Sequence, residues 1–283
     1  MTMTMPPSYR RQRADPKKRL RMKKTWILIF VLVAGTGLLI SGCAGWLGPP
    51  TEIQYDSDTT QILMDRLQHH NDGLGAVKGL GRVTVTTSND KRVYERAVWV
   101  GADPGRLRFA FLAPSGLPVF SMSCDEIWLT ALNHSDGAYY RRQIGDNSLS
   151  RFLPVSIKCV DLFALLVGRP PRLVYDTVLI ADDGTAGQDD SEIELKRRFR
   201  GTVGRLWVDR ERGELRSVEL IDINHNRLYE ARVQEMQTIA GYRLPTNITL
   251  NGPEGALTLE AKRVWPESTV TEDMFRIEPP SSN

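Results

Sequence analysis

From about Gly79 onward the chain alternates apolar and polar positions. In "GRVTVTTS" (81–88) Val83 and Val85 alternate with threonines and an arginine; in "GRLRFAFLA" (105–113) Leu107, Phe109 and Phe111 fall on one side, Arg106 and Arg108 on the other. A period of two marks strands that bury one face. The same beat returns in "LPVFSMSC", "EIWLTAL", "GAYYRRQ", "RLVYDTVLIAD", "IELKRRF", "GRLWVD", "LRSVELID", "RLYEARVQEM", "RLPTNITLN" and "ALTLEAKRVW". Turn chemistry separates these stretches: Asp103-Pro104-Gly105, Asp136-Gly137, Arg212-Gly213, Asn224-His225-Asn226 and Gly252-Pro253. The pattern predicts a mainly β (α+β) domain, a meander of antiparallel strands.

Two segments keep a helical beat instead. Residues 58–70 carry Ile62, Leu63, Met64 and Leu67, with Asp58 or Thr59 able to cap the start and Asn71-Asp72-Gly73 ending it. "VDLFALLVGRPP" (160–171) runs apolar through Leu162, Phe163, Leu165, Leu166 and Val167, then stops at Gly168 before two prolines. A helix so short and apolar nearly all round is buried on more than one side. A curved sheet closing over helices provides that burial. The acidic run 182–192 reads as a solvated loop between strands.

The first part of the chain follows other rules. Trp26 to Ile40 is uncharged and follows the basic residues Lys17, Lys18, Arg19, Arg21, Lys23 and Lys24. As a helix it rises only about 22 Å, short of the ~30 Å hydrocarbon core of a bilayer. Ser41 and Gly42 then precede Cys43, and "LLISGCAG" resembles the bacterial lipoprotein box. The resemblance implies a signal peptide over 1–42, with 1–21 a basic extension if translation starts at Met22, and an acylated Cys43 as the mature terminus. Residues 43–57, with Gly45, Gly48, Pro49 and Pro50, read as a tether to a single domain over 58–283. Ala44 stands where an aspartate would favour inner-membrane retention in enteric bacteria, so the expected place is the outer membrane, lipid-anchored and periplasm-facing.

Losing the leader reverses the charge. The whole chain is +3, but 1–42 hold nine Lys/Arg against Asp15, which leaves 28 basic and 33 acidic residues, a net of −5. Nucleic acid is thereby an unsuitable partner. Catalytic and metal chemistry are not signalled either. His69, His70, His134 and His225 form no ligand spacing. "DINHN" (222–226) starts like a calcium loop but continues with Arg227 and, at the twelfth position, Val233. Gly79-Leu80-Gly81 precedes a strand, and no Gly-x-Ser-x-Gly occurs. No enzyme and no cofactor are expected. Cys124 and Cys159 either pair, closing a loop of about 35 residues, or sit as two small buried hydrophobes.

"RLRFAFLAPSGLPVFSMSCDEIWL" (106–129), then "YYRRQ" and "LSRFLPVSIKCVDLFALLVGRPP", resemble the LolA/LolB family of bacterial lipoprotein carriers and receptors, the LolB branch most of all. The resemblance implies a half-open antiparallel barrel of about 10–11 strands capped by helices, with an apolar cavity for an acyl chain or lipoprotein cargo, possible exchange with a periplasmic carrier, and a membrane-contact loop. Pro114-Ser115-Gly116-Leu117 occupies the loop, with serine where a leucine is looked for and Leu117 two residues on. Independently of any family, Leu107, Phe109, Phe111, Phe120, Met122, Trp128 and Tyr229 are the large side chains expected on the concave face, as cavity lining or as core. The alternative is an assembly lipoprotein with a packed barrel that binds a protein along a sheet edge.

Overall fold

The computed structural model describes residues 53–125, 127–143, 149–181 and 189–280; the leader, Cys43 and the tether as far as residue 52 lie outside the described residues. Strand β1 (Gln54–Tyr55) is followed by helix α1 (Asp58–Gln68). Strands β2 (Ala76–Thr87), β3 (Lys91–Ala102), β4 (Arg106–Leu112), β5 (Pro118–Cys124), β6 (Trp128–Asn133) and β7 (Tyr139–Gln143) come next. After helix α2 (Cys159–Leu166) come β8 (Thr177–Ile180), β9 (Asp190–Arg197), β10 (Gly201–Asp209), β11 (Leu215–Ile221), β12 (Arg227–Ile239), β13 (Tyr242–Gly252) and β14 (Gly255–Pro266). These fourteen described strands form one sheet in the order β1-β8-β9-β10-β11-β12-β13-β14-β2-β3-β4-β5-β6-β7. Every pairing is antiparallel except β1 with β8. The sheet is not closed: β1 and β7 are its two ends, which makes it a half-open barrel.

Two strands depart from the sequence pattern. The predicted tether is already part of the sheet at Gln54, whose N–H donates to the Asp176 carbonyl at 2.9 Å. β3 has no clean period of two, because Val98 and Val100 face outward beside Ala110 and Arg108 while a bulge between its pairings to Gly81 and Val83 shifts the alternation. Of the acidic run expected as a loop, 182–188 lie outside the described residues, and Asp190 already belongs to β9.

Both helices form where the helical beat lies. Ser57, not Asp58 or Thr59, caps α1: its Oγ accepts from the Thr60 N–H at 3.2 Å. α1 buries Leu63, Met64 and Leu67. α2 is buried nearly all round and ends at Val167, with Gly168 at φ +81°. α2 reaches the sheet because Gly101 lies beneath it; a Cβ there would stand 2.5 Å from the Phe163 ring. Trp99 likewise lies flat over Gly79, where a Cβ would come within 2.0 Å. Each fully buried Phe or Leu of this core contributes about 1.5–3 kcal/mol.

Antiparallel order also sorts the turns. The β2–β3, β4–β5, β6–β7, β9–β10, β11–β12 and β13–β14 connections share one rim of the half-barrel, and β1 starts on that same rim because Gln54 pairs with Thr177, opposite Lys196 near the end of β9.

Candidate functional site

The register sorts the expected concave residues. Leu107 stands opposite Cys124, Phe109 opposite Met122 and Phe111 opposite Phe120, all on the face toward α2, since Cys124 is disulfide-bonded to Cys159 at the start of that helix. The alternative left open in the sequence is thereby decided for pairing. Tyr229 is fully buried in the same core. Trp128 is a correction. Its neighbour Leu129 pairs with Cys124, so Trp128 points to the convex side, where Arg141 lies 4.4 Å over its ring.

The middle of the concave face is filled. Between Phe109, Phe111, Met122, Leu162, Leu257 and Leu259 only about 10 Å³ remains. Leu162 of α2, with Leu149, Leu153, Val155 and Ile157 of the segment leading to it, occupies that interior. The expected cavity therefore does not run the length of the face; Leu107, Phe109, Met122 and Tyr229 are core.

Open space lies instead at the rim. A cleft of about 740 Å³ sits between the β2–β3 turn, β4, β5 and residues 150–154. Its floor is a chain of four aromatic rings: Tyr94 stacks on Phe111 (centroids 4.5 Å), Phe111 on Phe120 (6.0 Å), and Phe120 tilts against Phe152 (5.7 Å), while Tyr140, outside the cleft, backs Phe152 edge-on (5.3 Å). Its edge is polar, with Ser88, Asn89, Asp90, Arg92, Arg151 and Glu254. An aromatic floor under a broad polar margin suits an amphiphile, whose chain and headgroup need both surfaces. Phe111 and Phe120 were legible in the sequence as a face. Tyr94 and Phe152 were not, because Tyr94 lies in the strand with broken alternation and Phe152 in an irregular segment.

A smaller hollow of about 320 Å³ lies between α1 and α2 over Met64, Phe163, Leu195 and Leu206. Arg169 closes one side of it, donating to the carbonyls of His70 (3.0 Å), Asn71 (2.6 Å) and Leu74 (3.3 Å) and facing Asp103 at 3.5 Å. In the first turn of α2, burial pushes the Asp161 carboxyl up, although the Arg172 N–H donates to it at 3.1 Å. Burial also raises the Tyr229 hydroxyl well above its ordinary value, with the Asp161 charge adding to it.

Leu117 projects from the β4–β5 loop with 68% of its surface exposed, so it is not an inward-packed strand residue. Among the described residues no group of three or more His, Cys, Asp or Glu could hold a metal ion. Ser121 Oγ meets His134 Nε2 at 2.9 Å, but Ser121 is buried. Among the described residues no helix is long and apolar enough to cross a membrane.

No family model matches the chain, and no curated protein matches it. Solved structures do. A LolA superfamily protein from Nitrosomonas europaea superposes with a TM-score of 0.54 at 13% identity, covering 78% of this chain and 99% of that one. A putative outer membrane lipoprotein-sorting protein domain from Vibrio parahaemolyticus gives 0.54 at 12% identity, with 77% and 94% covered. A DUF1329 family protein from Desulfovibrio piger gives 0.55 at 10% identity, with 78% and 98% covered. The chain thus has a LolA-like fold.

Proposed function

We propose that this protein is an acylated lipoprotein of the outer membrane, facing the periplasm, whose half-barrel takes up the acyl chain of a lipid or of a lipoprotein cargo, received from a periplasmic carrier or passed on to the membrane. The aromatic-floored cleft carries the reading. It is the larger of the two open hollows described above, it has an aromatic floor under a broad polar margin, and it opens on the rim where β1 begins. The names of two structural neighbours, a LolA superfamily protein and a lipoprotein-sorting domain, support the same class. Leu117 on that rim is the membrane-contact loop of this reading. The role is binding and transfer, with no catalytic step and no cofactor.

The rival, a protein partner added along a sheet edge, is disfavoured by the edges themselves. β1 has two residues, and β7 presents Arg141 and Arg142, charges that discourage strand addition. The test is to purify the acylated full chain and measure bound lipid by native mass spectrometry, then repeat with Phe120→Asp. Bound lipid that is lost in a folded Phe120→Asp chain is the expected result. A reproducibly empty cleft, or uptake unaltered by the substitution, refutes the assignment.

A further inference from the structure

We infer that the β9–β10 turn is an anionic-membrane docking tip, a phenylalanine wedge set among arginines that orients the tethered domain on the bilayer. The inference rests on the reading of Cys43 as an anchor. Phe199 is 98% exposed, and its backbone is held at φ +64°, a region bulky side chains rarely adopt. It stands between Arg197, Arg198 and Arg200. Several arginines of this sheet meet carboxylates: Arg82 with Glu95, Arg205 with Glu219, Arg216 with Asp209, Arg243 with Glu214. Among the described residues none of the three tip guanidiniums has an ion-pair partner, and Arg198 lies 5.8 Å over the Phe199 ring.

The surroundings extend the patch. The β11–β12 turn lies alongside, close enough that a Cβ on Gly201 would sit 3.2 Å from the His225 ring, and it exposes Ile223 at 69%. On the other side Val174 is 68% exposed, two residues before Asp176.

The same corner receives the tether. The Asp176 carboxylate accepts from the Arg198 N–H at 2.7 Å, while the Asp176 carbonyl accepts from the Gln54 N–H at 2.9 Å. The chain between Cys43 and Gln54 spans at most about 40 Å, so the bilayer that holds the acyl groups is within reach of this tip. An aromatic side chain settles at the headgroup boundary, and arginines beside it are drawn to anionic lipid. The rest of the mature chain is net negative, so an anionic surface repels it elsewhere and the basic tip selects the face that docks.

The acylated full chain carrying Phe199→Trp keeps the wedge and reports its depth as the difference in tryptophan emission from the unsubstituted protein. It is reconstituted into vesicles with brominated acyl chains, either phosphatidylcholine alone or with about one third phosphatidylglycerol. Quenching and a blue shift only with phosphatidylglycerol, reversed by about 0.5 M salt, are expected. Adding Arg198→Ser and Arg200→Ser is expected to weaken docking about tenfold or more. Emission that stays water-like in both vesicles overturns the inference, as does a tip buried only when a protein partner is added. Flotation of the vesicles reads the anchor separately: a chain that does not float yet is quenched by excess anionic vesicles refutes the anchor and keeps the tip.

Discussion

Cys124, the last residue of β5, and Cys159, the first of α2, are bonded across the concave face with their Cα atoms 6.4 Å apart. The bond pins the start of α2 to the sheet, and it closes a loop of 35 residues. On the chain-entropy model that closure is worth about 4 kcal/mol. Replacing both cysteines by alanine is therefore expected to lower unfolding stability by about 2–4 kcal/mol, read from urea midpoints, and adding reductant to the native protein should give the same loss. Because α2 fills the interior, cargo that stops at the aromatic cleft should bind the oxidised and the folded reduced protein in equal stoichiometry.

Phe109 and Phe120 separate core from cleft. Both were expected on one face, and the register puts them there, yet Phe109 is packed against Trp99 and Leu162 while Phe120 lines open space. Phe109→Ala is expected to cost about 3–5 kcal/mol in stability. Phe120→Ser should cost less, because the ring is only half-buried, while lowering lipid uptake more. Thermal melts and bound-lipid mass spectra on the two variants check this, and the reverse ranking would place the cargo in the interior.

The period of two carried most of the fold. β4, "RLRFAFL", alternates in burial as its sequence alternates, and the all-apolar α2 required the enclosed position it occupies. Legibility failed where two surfaces share one strand. β3 has Trp99 inside and Val98 and Val100 outside, next to Trp265 and Met274 in a shallow convex hollow, so apolar or small residues fall at every position from Ala97 to Ala102 and the alternation disappears there. Trp128 was misplaced for a related reason: a lone tryptophan at a strand start gives no phase, and its partner Arg141 comes from the next strand. The cleft was half legible. Its Phe111–Phe120 pair follows from pairing, but Phe152 reaches it through an irregular segment whose path no period encodes.

Asp161 gives a pH signature. Burial raises its carboxyl, outweighing the Arg172 N–H that donates to it. A carboxyl whose folded value exceeds its unfolded value of about 3.9 adds stability below the unfolded value, and that contribution is lost as pH rises through the folded one. At neutral pH the buried Asp161 carboxyl is therefore a liability. Asp161→Asn keeps an acceptor for Arg172 and removes the charge. It is expected to melt higher than the unsubstituted chain at pH 7, with the gap shrinking toward pH 4. Asp161→Ala, which also loses the hydrogen bond, should fall about 1 kcal/mol below Asp161→Asn. A gap independent of pH would show that the carboxyl is not titrating out of its buried form.

The positive φ of Phe199 can be tested without any membrane. A side chain in the left-handed region costs about 1–2 kcal/mol that glycine does not incur, while glycine loses more backbone entropy on folding, about 0.5–1 kcal/mol. With its ring in solvent, Phe199 recovers nothing from packing that would offset the difference. Phe199→Gly is therefore expected to raise the urea midpoint modestly, by up to about 1 kcal/mol with an unchanged slope, and at the same time to abolish docking on anionic vesicles. Stability that rises while membrane contact disappears marks a residue retained for the surface it touches. A lowered midpoint would mean that the ring packs against the domain, and a ring so engaged is not free to enter a bilayer.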